Sequence, residues 1–180
     1  MIISKKNSVK PTKDQLVEIM DDDNRPLAVL SKDTVHRQLL RHRSVQILIF
    51  NPEKKIYLQK RNNMMQFFPG RWDVSARTHP HVGESTYSAA IRALREELNL
   101  ETDNLVRVRE LEACPATGFE QITIFSISRN VHPITPNSDN VSEGYYYSRE
   151  ELTCLIKEFR ELLTPNLVTL WEAGLLSDDS

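Results

Sequence analysis

His79-Pro-His-Val-Gly-Glu-Ser-Thr-Tyr-Ser-Ala-Ala-Ile-Arg-Ala-Leu-Arg-Glu-Glu-Leu-Asn-Leu100 reads as a loop followed by a short helix that ends in two adjacent acids. Ser85 or Thr86 is placed to cap the helix N-terminus, and Ala89, Ala90, Leu94 and Leu98 form an apolar stripe at three- and four-residue spacing. About three turns are expected, closed at Asn99, since Asn is second only to Gly in tolerating the left-handed backbone of a helix end. Position 93 and the pair Glu96 and Glu97 share one helical face, and because position 93 is Ala only the two acids there can bind a hard cation. Paired carboxylates oppose the helix dipole in a last turn and need a partner. Arg92, four residues before Glu96, offers a plain salt bridge, and a divalent cation bridged to phosphate offers a functional one. Glu-Glu pairs are common on solvated helix faces, so the spacing leaves both open.

At 180 residues the chain is long enough for one domain with a sizeable core. A net charge of −2 gives no general attraction to nucleic acid or anionic membrane, so basic residues must act locally. Cys114 and Cys154 are too few and too far apart for a disulfide framework or a cysteine zinc site, which fits a reducing, cytoplasmic setting. The first residues lack the apolar run of a signal peptide, and no stretch approaches the ~20 apolar residues of a membrane span.

Outward from the helix, residues 1–14 are polar and expected to be loosely ordered. Leu16 to Met20 and Leu27 to Leu30 flank Asp-Asp-Asp-Asn-Arg-Pro as a hairpin, and Asp33 or Thr34 is expected to cap a short helix reaching Leu40. Ser44 to Phe50 and Ile56 to Gln59, separated by Asn51-Pro52 and a charged turn, suggest two antiparallel strands. Lys60 and Arg61 follow at the strand end, where they are either solvated charge or phosphate ligands. The aromatics of Phe67-Phe68-Pro69-Gly70-Arg71-Trp72 are expected in the core. Strands are expected over Trp72 to Ala76, Leu105 to Leu111, Ile122 to Ser128 and Tyr145 to Tyr147, with Glu120 entering the third of these. Ser148 and Thr164-Pro165 then open two helices, the second ended by Gly174, and residues 177–180 form a polar tail.

Aligned on its helix, the quoted stretch resembles a Nudix box. Glu84, Arg92, Leu94, Glu96, Glu97 and Leu100 fall on their places in that pattern, while Thr78, Ala93 and Asn99 stand where it has Gly, Glu and Gly. The resemblance spans most of the chain. It implies an α/β fold, a Nudix-type sandwich of a mixed curved sheet between helices with an N-terminal hairpin extension, over a single domain at 15–176 with the box at 78–100. Its isomerase-like signs are Arg41-His42-Arg43-Ser44, Phe68-Pro69-Gly70, His79-Pro80 and Gly83-Glu84-Ser85, which are similar to the isopentenyl-diphosphate isomerases of this fold. In that branch the matching histidines help bind a divalent metal, which implies His42 and His79 as ligands beside Glu97 and an acid near Glu120. His36, His81 and His132 stand behind them. The branch moves a proton with a Cys where this chain has Arg77, and faces the intermediate with a Trp where it has Asn166. A group with a pKa above about 12 delivers no proton near neutrality.

The resulting expectation is a Mg²⁺- or Mn²⁺-dependent hydrolase of a diphosphate linked to another group, such as a nucleoside diphosphate derivative. Glu96 and Glu97 hold metal, joined by Glu120, His42 and His79; Arg61 with Lys60 holds the diphosphate; Glu84 and Arg92 brace the box. The expected partner is a small-molecule diphosphate, not nucleic acid or membrane, in a monomer or homodimer. The alternatives are an isomerase-like protein, which Arg77 and Asn166 disfavour, and a non-catalytic diphosphate or nucleotide binder, which Ala93 and Thr78 favour.

Overall fold

The computed structural model describes residues 15–177. The expected loose segment 1–14 and tail residues 178–180 lie outside them. Strands β1 (Leu16–Met20) and β2 (Pro26–Ser31) form the expected hairpin and lead into α1 (Lys32–Arg37). Ser31, rather than Asp33 or Thr34, caps α1, its hydroxyl accepting from the Thr34 N–H, so the helix begins and ends earlier than the sequence suggested.

The central strand is β3 (His42–Ile49), which pairs in parallel with β8 (Glu120–Ile127) and antiparallel with β1 and with β6 (Ala76–Thr78). With β7 (Val106–Leu111) on the far edge, the order is β2-β1-β3-β8-β7 with β6 also on β3. β4 (Ile56–Arg61) is not the hairpin partner of β3 that the sequence suggested. The two meet only at one antiparallel bridge, Phe50 to Ile56, after which β4 joins a second sheet between β5 (Trp72–Asp73) and β9 (Val141–Tyr147). The single strand expected at Trp72 to Ala76 is likewise broken, its halves serving different sheets.

This division follows from alternation along β3. Val45, Ile47 and Ile49 face the box helix α2 (Thr86–Leu98) and pack on Ala89, Ala90, Ala93, Leu94 and Leu98. Leu48 lies in the other core, with Leu58, Ile122, Ile124 and residues of α3 (Arg149–Glu158) and α4 (Pro165–Glu172). Two apolar layers therefore flank a mixed sheet. Local signals read correctly include the Ser85 cap of α2, the left-handed Asn99 that ends it (φ 49°), the Ser148 capping box of α3 and the Thr164-Pro165 start of α4. Thr78, standing where the box pattern has Gly, lies on the extended strand β6, so that position requires no special backbone angle here. Cys114 and Cys154 are both free. No helix among the described residues is long and apolar enough to cross a membrane.

Candidate active site

The box loop is closed by one ion pair. Glu84, just ahead of the Ser85 cap, accepts from Arg92 Nε at 3.0 Å and Nη2 at 2.8 Å, and from the His81 N–H at 2.7 Å. Arg92 extends the clasp to the Thr78 hydroxyl (3.3 Å), the His79 carbonyl (3.0 Å) and Glu96 (3.2 Å). A fork of planar donors suits this bracing role, and the pair holds the Glu84 carboxyl below its usual range. Ala93 is 1% exposed and packs under the helix, whereas Glu96 and Glu97 reach a common cavity.

Glu97 differs sharply from its neighbour. It accepts from Gln59 Nε2 at 2.9 Å and, at 3.4 Å, from the backbone N–H of Arg77, and no side-chain cation pairs with it among the described residues. Burial pushes its carboxyl up to about 7, against the opposing pull of those two hydrogen bonds. Glu96 is 57% exposed and tied to Arg92.

A second group lies deeper. His36 of α1, His42 of β3, His79 beyond β6 and Glu120 of β8 each offer a ligand atom, and these atoms all lie within 4.8 Å of one another. The parallel register that sets His42 opposite Glu120 is what brings distant parts of the sequence together. The three imidazoles pack with centroids 4.8, 5.0 and 5.1 Å apart. His42 Nδ1 lies 2.7 Å from the Leu40 carbonyl, a contact that assigns the proton to Nδ1 and leaves Nε2 with a lone pair. That Nε2, His36 Nε2 and both His79 ring nitrogens are buried without a hydrogen-bond partner. His79 Nε2 is 3.7 Å from Glu120, beyond hydrogen-bonding reach.

Burial holds all three imidazoles below their ordinary pKa, His36 at about 4 and His79 well below normal, so they are neutral at pH 7. Burial alone would raise Glu120, but Arg77 (Nη2 to Oε1 3.0 Å, to Oε2 3.3 Å), with His79 and His42 beside it, keeps the carboxyl well below its usual range. Neutral imidazoles with buried, unpartnered nitrogens beside one charged carboxylate fit a divalent cation. His36, outside the sequence-derived ligand set, belongs to this group.

Glu96 and Glu97, and from the deeper group His36, His79 and Glu120, border a cavity of about 630 Å³ that Lys32, Arg61 and Arg77 also line. Arg61 gives Nε to the Phe67 carbonyl (3.0 Å) and Nη1 to the buried Asp73 (3.2 Å), leaving Nη2 unbonded among the described residues. Lys32, which the sequence reading passed over, has no hydrogen bond to its ammonium among the described residues, and burial followed by repulsion from Arg77 lowers it to about 8. Lys60 is a correction. As the next-door neighbour of Arg61 on a strand its side chain points to the opposite face, where Nζ meets Glu143 at 2.7 Å and lies 5.8 Å from the Trp72 ring centroid. The 67–68 aromatics are a second correction, since Phe67 and the half-exposed Phe68 form a cavity wall with Leu39 and Met65 instead of entering the core.

The family model described as NUDIX domain matches residues 40–166. Among curated relatives, an isopentenyl-diphosphate Delta-isomerase of Pectobacterium atrosepticum is 29% identical over 160 residues, covering 86% of each chain. The uncharacterized Nudix hydrolase YfcD of Salmonella typhi is 29% identical over 147 residues, 79% of this chain and 77% of that one. The crystal structure of DR0079 from Deinococcus radiodurans superposes with a TM-score of 0.78 at 20% identity over 88% of this chain and 98% of that one, a likeness of fold.

Proposed function

The chain belongs to the NUDIX domain family of phosphoric-anhydride hydrolases, and from that premise we propose that it cleaves a diphosphate linked to an organic group, such as a nucleoside diphosphate derivative, with a divalent cation. One observation carries this reading: a single cavity of about 630 Å³ brings the incompletely paired cations Lys32 and Arg61 beside the acids Glu96, Glu97 and Glu120. A purely structural cluster leaves no reason for a half-buried lysine with no ion-pair partner among the described residues at a cavity wall.

Lys32 and Arg61 Nη2 hold the diphosphate oxygens, and Phe67 and Phe68 receive the organic group. His36, His42, His79 and Glu120 would hold a divalent transition-metal ion such as Mn²⁺, while Glu96 and Glu97, facing the same cavity, are oxygen donors that suit Mn²⁺ or Mg²⁺. Such an ion, when bound, neutralises phosphate charge and makes a water more acidic. Water oxygen forms a bond to phosphorus as the anhydride P–O bond breaks, and Glu97, raised to about 7 and so ionised part of the time at neutral pH, is suited in that charged form to take the proton released. Arg92 and Glu84 keep the acid-bearing helix end against the loop. Arg77 stands where an isomerase would carry its proton-transfer thiol, and it bonds to Glu120 instead. The two free cysteines fit a reducing, cytoplasmic compartment.

Lys32→Met and Arg61→Gln are each expected to raise KM by about ten- to a hundredfold, the worth of one charge-assisted hydrogen bond, with a smaller change in kcat. Steady-state kinetics on the best substrate of a nucleotide panel tests this. An unchanged KM in both variants would remove these residues from the diphosphate site.

A further inference from the structure

Arg77 lines the same cavity as Lys32 and Arg61 but is a different kind of cation. Its side chain is 12% exposed, and its terminal nitrogens are already occupied. Nη2 donates to both oxygens of Glu120, Nη1 lies 3.6 Å from Asp73 Oδ2, and the Asn166 amide oxygen, turned to the guanidinium, accepts from Nη1 at 2.7 Å and Nη2 at 2.9 Å. Nη2 is thus taken up by Glu120 and Asn166, and Nη1 by Asn166 with Asp73 at ion-pair distance, so the guanidinium is committed to acceptors of the protein itself. Each acceptor is itself anchored. Asp73, fully buried, also accepts from the Thr164 hydroxyl (2.8 Å) and Arg61, while Thr164 and Asn166 stand at the N-terminus of α4. Glu120, 4% exposed, sits beside His42 across the parallel strands.

Resting on the cation site proposed above, we propose that Arg77 is a positioning residue: its guanidinium, braced by Asp73 and Asn166, holds the Glu120 carboxylate toward the three imidazoles so that the cluster binds a divalent ion. Ligating carboxylates depend on such outer partners, and losing one typically lowers metal affinity about 10–100-fold. Arg77 therefore serves the cation, whereas Lys32 and Arg61 serve the anion. The contact also ties the cluster to α4, since Asn166 can accept from Arg77 only while the helix start is docked on β5 through Thr164.

The test is titration of the full-length protein, without substrate, with Co²⁺ alone, followed by the visible absorption that imidazole and carboxylate ligation gives this ion. Wild type is expected to bind; Arg77→Gln is expected to bind about 10–100-fold more weakly, Arg77→Lys between the two, and Lys60→Gln, whose side chain meets Glu143 on the opposite face of β4, like wild type. Asn166→Ala, which keeps every charge, is expected to weaken binding in the same direction and decides the matter if Arg77→Gln does not fold. Folded Arg77→Gln, or Asn166→Ala, binding Co²⁺ as tightly as wild type would overturn the positioning role while leaving the cation site standing. A wild type that gives no Co²⁺ spectrum would overturn the cation site and this inference with it.

Discussion

Glu97→Gln is expected to lower turnover by about 10²–10⁴-fold and at the same time to stabilise the metal-free protein at pH 8. The catalytic loss follows from removing the proposed proton acceptor. The stability gain follows from the carboxyl being raised from 4.5 to about 7 in the folded protein. Between those two values the folded state binds more protons than the unfolded state, so stability falls as pH rises across this window and the full cost is present above about pH 7. A shift of that size corresponds to roughly 3 kcal/mol, or a melting temperature several degrees higher for the variant. Gln keeps an acceptor for Gln59 Nε2 and removes the charge. Melting curves at pH 5 and pH 8 without metal check the sign: the variant's advantage should appear at pH 8 and shrink at pH 5. An equally inactive but destabilised variant would mean that Glu97 is a structural acid, and a stabilised but fully active one would mean that it is not the base.

Glu120→Gln should have the opposite effect on stability. It leaves the buried Arg77 with Asp73 as its only remaining acid, and breaking a buried pair from one side typically costs about 3–5 kcal/mol, on the order of 10 °C in melting temperature for a chain of this size. Because Glu120 is held well below its usual range, its contribution is present above the unfolded value of 4.5 and fades only as pH falls through the lower folded value. The deficit of the variant should therefore be full at neutral pH and shrink as the pH falls below 4.5. A deficit that does not change with pH would show that packing, not charge, explains it. Two carboxylates bordering one cavity are thus driven apart, Glu97 upward by burial without a cation and Glu120 downward by Arg77. Sites that must hold a cation and move a proton commonly divide these tasks in this way.

Much of the fold was legible because its signals are local. The box helix, its Ser85 and Asn99 ends, the Ser148 and Thr164-Pro165 starts and the N-terminal hairpin each depend on a few adjacent residues. Strand partnership depends on distant ones. Nothing in Ser44 to Gln59 says that β3 and β4 part after a single bridge, because each carries apolar residues on both faces and would suit either sheet. The site divides along the same line. Glu84, Arg92, Glu96 and Glu97 share one loop and helix, and their arrangement could be anticipated from spacing and resemblance. His36, Lys32 and Asp73 could not, since no spacing rule joins them to His79 or Glu120; the β3–β8 register and the turn of α1 do so. Lys60 and Arg61 are consecutive on one strand and face opposite ways, so alternation alone lets only one of them enter the cavity. The positions that set the chain apart from an isomerase, Arg77 and Asn166, lie 89 residues apart and yet touch, so one polar contact replaces two separate features.

The most direct test of the central claim is product formation (phosphate, pyrophosphate, or a nucleoside monophosphate with a sugar phosphate, separated by chromatography) from a panel of nucleoside diphosphates, nucleoside triphosphates, nucleotide sugars and isopentenyl diphosphate, assayed with Mg²⁺ or Mn²⁺ and again with a chelator. The account predicts cleavage of at least one diphosphate-linked compound, abolished by the chelator. Conversion of isopentenyl diphosphate to its isomer without anhydride cleavage, or ligand-dependent thermal stabilisation with no turnover across the panel, would contradict it.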